Sequence, residues 1–224
     1  MATAYFLQMI VEMTDAKTDQ EHFEILLHSK PQIPDRTRFI LGESEENPMP
    51  QLLEVGNGLV AQGAEVIAIP CITAHFFQKQ LETEIACPIL HAIEETAKYL
   101  QEEGIRHVGI MATDGTIASQ LFQDILSQYE IACTVPEPEG KAKVMHIIYE
   151  NVKAGLPIEQ ALFESVAQEL FDKGAEVILL GCTELSMVKR DHKIGNRFLD
   201  VMEVLARQAV LSCGKLKEEY RHLI

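Results

Sequence analysis

The chain carries one motif twice. Residues 63–73 read GAEVIAIPCIT and residues 174–184 read GAEVILLGCTE. In each copy a helix ends at glycine, a short apolar run of strand length follows, and a cysteine stands at its carboxyl end with a threonine close behind. Cys71 and Cys182 are separated by about half of the 224 residues. A period of that length means a duplicated unit, with each copy offering one cysteine. GAEVI is also a common entry into a buried strand, and a free cysteine is often only a small buried hydrophobe. The same placement of a cysteine in both copies favours a paired, functional role.

The segments around the repeat define the unit. EVIAIP, 65–70, is a nearly all-apolar run of the kind expected for a strand buried on both faces of a parallel sheet. The same reading fits 88–92, 107–111, 131–135, 177–181 and 197–201. Helix-period segments lie between them, over 74–84, 92–103, 118–129, 142–154, 158–173 and 201–220, with further helices at the start of the chain and over 49–62. Pro31 and Pro34 exclude helix from the segment PQIPDRTRFIL and leave 39–41 as a short strand. Alternating strands and helices predict an α/β fold of two pseudo-symmetric domains, each a parallel sheet flanked by helices, with ligand sites at the carboxyl ends of strands. The expected division is 1–100 and 101–200, with the helix within 201–224 packing back on the first domain. In the second half a strand, 107–111, and a polar loop, ATDGT, precede the helix from 118, whereas the first half begins directly at the matching helix. The first strand of domain 1 is therefore expected to be missing ahead of Met1.

Charge narrows the partners. Lys and Arg number 19 against 34 Asp and Glu, a formal net charge of −15. Such a surface repels nucleic acid and anionic lipid, while a small anion can still bind in a local basic pocket. The five cysteines, Cys71, Cys87, Cys133, Cys182 and Cys213, show no CxxC and no Cys/His spacing suited to zinc. That pattern predicts neither a disulfide framework nor a metal site, and together with the lack of a long apolar run or a leader it predicts a cytoplasmic protein. No GxGxxG or Walker pattern supports a nucleotide cofactor.

Two cysteines facing each other across a cleft suggest a chemistry. A thiolate on one side of an α-carbon can remove its hydrogen while a thiol on the other side delivers one, inverting the centre with no cofactor. A free thiol, at about 8.5, is close enough to neutrality to be tuned for both tasks. Both cysteines are expected at strand-to-helix junctions, where backbone N–H groups favour a thiolate. Thr73 and Thr183 can add hydroxyls.

TDQEHFEILLHSKPQIPDRTRFIL, IPCITAHFF, IYENVKAG and LLGCTELS, in that order over nearly the whole chain, resemble the aspartate/glutamate racemases that work without a cofactor. The resemblance implies two similar domains of four-stranded parallel sheet, a site in the cleft between them, a small acidic amino acid as substrate, and a homodimer. It matches Cys71 and Cys182 to the acid/base pair, Arg36 and Lys153 to the residues that hold the side-chain carboxylate in aspartate-specific members, and Thr73 and Thr183 to hydroxyls near the bound amino acid. Without the resemblance Arg36 reads as a loop ion pair and Lys153 as a complement to a helix dipole. Glu184 either accepts a hydrogen bond from a substrate amino group or caps its helix. His75 either orients the Cys71 thiol or packs at a helix start. Two departures stand out. Ile72 occupies a position where the family usually has a hydrogen-bonding asparagine, and the family's opening strand and Gly-Gly-Met-Gly-Pro loop are not found.

The expected activity is thus interconversion of L- and D-aspartate or glutamate. The alternatives are a binding homologue without turnover, and a related isomerase or decarboxylase acting on a small dicarboxylate. A cysteine hydrolase gains little, because neither cysteine has a base and orienter evident in sequence.

Overall fold

The computed structural model describes residues 2–224. Its first half runs α1 (Ala2–Met13), α2 (Arg36–Ile40), α3 (Met49–Ala61), β1 (Ile67–Ala68), a 3₁₀ turn Ile72–Phe77, α4 (Gln78–Glu84), β2 (Ile89–Leu90) and α5 (Ala92–Glu102). Its second half runs β3 (His107–Met111), α6 (Asp114–Ala118), α7 (Leu121–Gln128), β4 (Ala132–Thr134), α8 (Pro138–His146), a π-helical turn Ile147–Val152, α9 (Gln160–Asp172), β5 (Val177–Leu180), α10 (Thr183–Asp191), β6 (Phe198–Asp200) and α11 (Val201–Cys213).

The second sheet has the order β4-β3-β5-β6, and all of its pairings are parallel. Every residue of β5 is buried, which explains its unbroken Val-Ile-Leu-Leu. Side chains alternate across a strand. Val177 and Leu179 enter one core with Phe6, Ile93, Phe122 and Leu205, while Ile178 and Leu180 enter another with Ile148, Phe163 and Leu170. Helices therefore cover both faces. α11 packs against α1 and α5, so one apolar cluster joins helices of the first half to a face of the second sheet.

Among the described residues the first sheet consists of β1 and β2, paired in parallel, rather than the four strands the resemblance implies. The run 65–70 contributes two ladder residues, and Ala68 is half-exposed rather than buried on both faces. One edge of β1 lacks a neighbouring strand among the described residues. Residues 23–30 have no regular secondary structure, line the same cavity as β1, and form no backbone–backbone hydrogen bonds over 23–29 among the described residues.

Several sequence expectations are corrected. Residues 39–40 are the end of α2 and Leu41 is its C-cap, because Asp35 takes the N-cap position of that helix and accepts from the Arg38 N–H at 3.0 Å. Pro34 lies just ahead of that cap, where it does no harm. The helix expected over 118–129 is two helices, broken where Gln120 adopts a left-handed φ of 57°. The helix over 142–154 begins earlier, with Pro138 in its first turn, and ends in the π turn. The helix from 201 stops at Cys213, ahead of Gly214, and the segment from 74 opens as 3₁₀ turn rather than α-helix.

Asp200 closes β6 and caps α11. Its Oδ1 accepts from the Met202 N–H at 2.9 Å and the Ser186 hydroxyl at 2.8 Å, while Oδ2 has no partner among the described residues. Burial, reinforced by Glu203, pushes this carboxyl up from 3.8 to about 7. An acid raised in the folded state holds its proton where the unfolded chain has lost it, so stability falls with rising pH. Urea denaturation across a pH series should show wild-type stability declining between about 4 and about 7. Asp200→Asn, which keeps an oxygen to accept both bonds, should flatten that decline; an unchanged slope would rule Asp200 out as its source.

Candidate active site

Both motif cysteines follow the carboxyl end of a strand. Cys71 precedes the 3₁₀ turn after β1, and Cys182 is the N-cap residue of α10 after β5. In the second copy the approach is tight. Gly181 donates to the Met111 carbonyl at 2.8 Å, and a Cβ there would lie 3.0 Å from the Phe122 ring. The two cysteines open onto one cavity of about 1060 Å³, which Arg36, Thr73, Lys153, Thr183 and Glu184 also line. Seven of the residues singled out from the sequence thus line the same cavity.

The sulfurs have different surroundings. Cys71 is partly exposed, and the half-buried Arg36 lies against it, its guanidinium held more firmly charged first by the Cys71 sulfur. Arg36 Nη1 also donates to the Ile33 and Pro34 carbonyls, at 3.0 and 2.9 Å, which aims the group by the loop and not by a loop ion pair. Cys182 is buried and its Sγ–H donates to Glu184 Oε2 at 2.9 Å. Burial first, and then Glu184, push the Cys182 thiol well above its ordinary range. The expectation that a helix N-terminus favours a thiolate is overturned at this cysteine, because lost hydration and an adjacent carboxylate outweigh the N–H groups.

Glu184 accepts from the Thr183 hydroxyl as well, at 3.0 Å, so its carboxylate braces the thiol rather than capping α10. Lys153 follows the π turn, with its Nζ 3.7 Å from the centre of the Tyr149 ring. Desolvation works against the Lys153 charge, yet Glu184, Tyr149 and Cys182 together raise its pKa. Its charge is therefore turned toward the site, which exceeds a helix-dipole role. Thr73 does not reach toward Cys71. Its hydroxyl joins those of Thr116 at 2.9 Å and Thr113 at 3.2 Å, and Thr37 donates to Thr113 at 3.1 Å. This buried cluster links the two halves, and Thr37, Thr73 and Thr113 also line the cavity. Sequence reasoning missed Thr37, Thr113, Thr116 and Tyr149, although the IPDRT motif, the ATDGT loop and the IYENVKAG segment contain them.

His75 and Ile72 also resolve. His75 is buried, bound to the Ile69 carbonyl and to Gln78, each at 3.1 Å, and burial beside His91 lowers it to about 4. It pins the turn after Cys71 as a neutral ring. Ile72, 2% exposed, packs in the core with Phe6 and Ile93. Among the described residues no His, Cys, Asp and Glu cluster could hold a metal, and no helix is long and apolar enough to cross a membrane.

Comparison with known proteins gives concordant findings. The family model described as Asp/Glu/Hydantoin racemase matches residues 1–209. The chain is 26% identical over 148 residues to the broad specificity amino-acid racemase RacX of Bacillus subtilis, covering 66% of this chain and 64% of that protein. It is 25% identical over 130 residues to the glutamate racemase of Pasteurella multocida, covering 58% and 45%. The match thus spans less than two thirds of these relatives' own length. Among solved structures, the aspartate racemase of Picrophilus torridus superposes with a TM-score of 0.83 at 27% identity, covering 99% of this chain and 94% of that one. The glutamate racemase isoform RacE1 of Bacillus anthracis shares the fold at a TM-score of 0.67 and 13% identity, covering 94% and 77%.

The unequal sulfurs predict unequal reactivity. Iodoacetamide at neutral pH should alkylate Cys71 at least about tenfold faster than Cys182, as followed by peptide mass, because the thiolate is the nucleophile and Cys182 is both buried and held protonated. Equal rates would show that the Glu184 contact does not hold the Cys182 proton in solution.

Proposed function

The chain belongs to the Asp/Glu/hydantoin racemase family, and from that premise we propose that it racemises aspartate or glutamate by moving the α-hydrogen between Cys71 and Cys182. The observation that carries this reading is that both sulfurs line one cavity with opposite charges beside them, Arg36 at Cys71 and Glu184 at Cys182. A carboxylate that accepts an S–H favours the thiol. Cys182 is thereby set as the acid, which leaves the role of base to Cys71.

The step balances as follows. The Cys71 thiolate takes the α-hydrogen as a proton, and the electron pair left on carbon spreads into the substrate carboxylate. The Cys182 thiol then gives its proton to the opposite face, becoming a thiolate, and the product carries the inverted centre. Arg36 and Lys153 hold the substrate carboxylates. Glu184 acts through Cys182 as a positioning residue, and Thr183 fixes Glu184. Thr73 acts through the hydroxyl cluster that ties the halves together. The same reading includes a homodimer, which light scattering would report as twice the mass of one chain.

The cavity, at about 1060 Å³, is slightly larger than the roughly 300 to 1,000 Å³ typical of small-molecule sites, and Leu52, Val55, Leu59 and Ile67 are apolar residues in its lining. These residues favour including neutral amino acids among the substrates tested.

Purified protein in deuterated water should exchange the α-hydrogen of aspartate or glutamate, read by NMR. Cys71→Ala and Cys182→Ala should each lower exchange by at least about a hundredfold, the usual worth of a positioned acid or base. Arg36→Met should raise KM more than it lowers kcat. Absence of exchange with every amino acid tried would refute the reading.

A further inference from the structure

Tyr149 touches the surroundings of both sulfurs. It stands on the π turn Ile147–Val152, which is confirmed at its end by the Lys153 N–H donating to the Ile148 carbonyl at 3.0 Å, a reach of five residues. Such turns are rare and often serve functional sites, because the widened turn re-aims side chains. Here it turns two side chains onto one another: the half-buried Tyr149 ring carries the Lys153 ammonium 3.7 Å from its centre. The phenol hydroxyl donates to Asp35 Oδ2 at 3.3 Å, across a sequence separation of 114 residues. The other oxygen of Asp35 caps α2, whose first residue is Arg36. One tyrosine thus bears on the cation near Cys182 and on the helix that presents the cation at Cys71.

The charges around Cys182 show what the ring accomplishes. Glu184 faces the thiol from α10 and Lys153 faces it from the end of the π turn. Lys153 feels the Glu184 charge, yet it sits on the aromatic face and makes no salt bridge with Glu184 among the described residues. A ring face attracts an ammonium without neutralising it. We propose that Tyr149 is a positioning residue whose ring keeps Lys153 off Glu184, leaving the ammonium free for a substrate carboxylate and the carboxylate free to hold the Cys182 proton. The inference rests on the two-cysteine reading for its purpose, but its geometry can be tested without turnover.

If the ring is removed, Lys153 pairs with Glu184, the carboxylate leaves the thiol, and a positive charge moves toward the sulfur. The pH dependence of Cys182 alkylation, followed by peptide mass, should therefore move down by about one pH unit in Tyr149→Leu, the size of shift a nearby charge produces. Tyr149→Phe keeps the ring and loses only the hydroxyl, so its profile should match wild type. An unmoved profile in the leucine variant, or an equal shift in both variants, overturns the proposal. A second measurement needs no altered Tyr149. With lysines dimethylated using ¹³C-formaldehyde, the Lys153 methyl signal, identified by its loss in Lys153→Arg, should lie upfield of the others through the ring current. A signal at the ordinary lysine position also overturns it. Where wild type exchanges substrate hydrogen, Tyr149→Leu should raise KM more than it lowers kcat, and phenylalanine should restore KM. Failure of exchange in wild type would refute the racemase reading and leave the alkylation and methyl results to decide the role of Tyr149.

Discussion

The structure depends on β5 being buried on both faces. A strand with no solvent side must supply apolar residues at every position and be covered by helices above and below. Val177–Leu180 does so, feeding one core with alternate residues and a second core with the others. This burial fixes the height at which Gly181 and Cys182 emerge from the sheet, because Gly181 is bonded to the end of β3 and hemmed in by Phe122. The first core also contains α1, α5 and α11, so the packing that places Cys182 also holds the first half, with Cys71, in register against it.

Within that frame the two copies of the motif have diverged in electrostatics. The cysteine of the first copy lies half-open beside a guanidinium presented by α2, and the cysteine of the second lies buried against a carboxylate. Symmetry of sequence has become asymmetry of charge. The four threonine hydroxyls of the buried cluster and the Tyr149 to Asp35 bond cross between the halves and hold the two environments in fixed relation.

Much of the fold was legible along the chain. Strands such as 107–111 and 177–181 showed themselves by unbroken apolar runs, and the repeat placed both cysteines at carboxyl ends of strands. The misreadings have local causes. Pro31 and Pro34 suggested an extended segment through 39–41, but a cap bond from Asp35 sufficed to start a helix behind them. The π turn was invisible because its residues keep helix periodicity while the ladder slips by one. β1 looked like a strand buried on both faces, yet burial depends on neighbours, and it has one strand neighbour among the described residues.

By itself the sequence determined the α/β class and the repeated motif, and singled out seven of the residues that line the cavity, since these follow from periodicity and from motifs that are contiguous in the chain. It could not determine what each of those residues touches. That Glu184 accepts from a thiol, that Thr73 joins a hydroxyl cluster, and that Ile72 packs in the core while also lining the cavity depend on side chains brought together from distant segments. Tertiary structure decided them because hydrogen bonds and desolvation act over a few ångströms in space, whatever the distance along the chain.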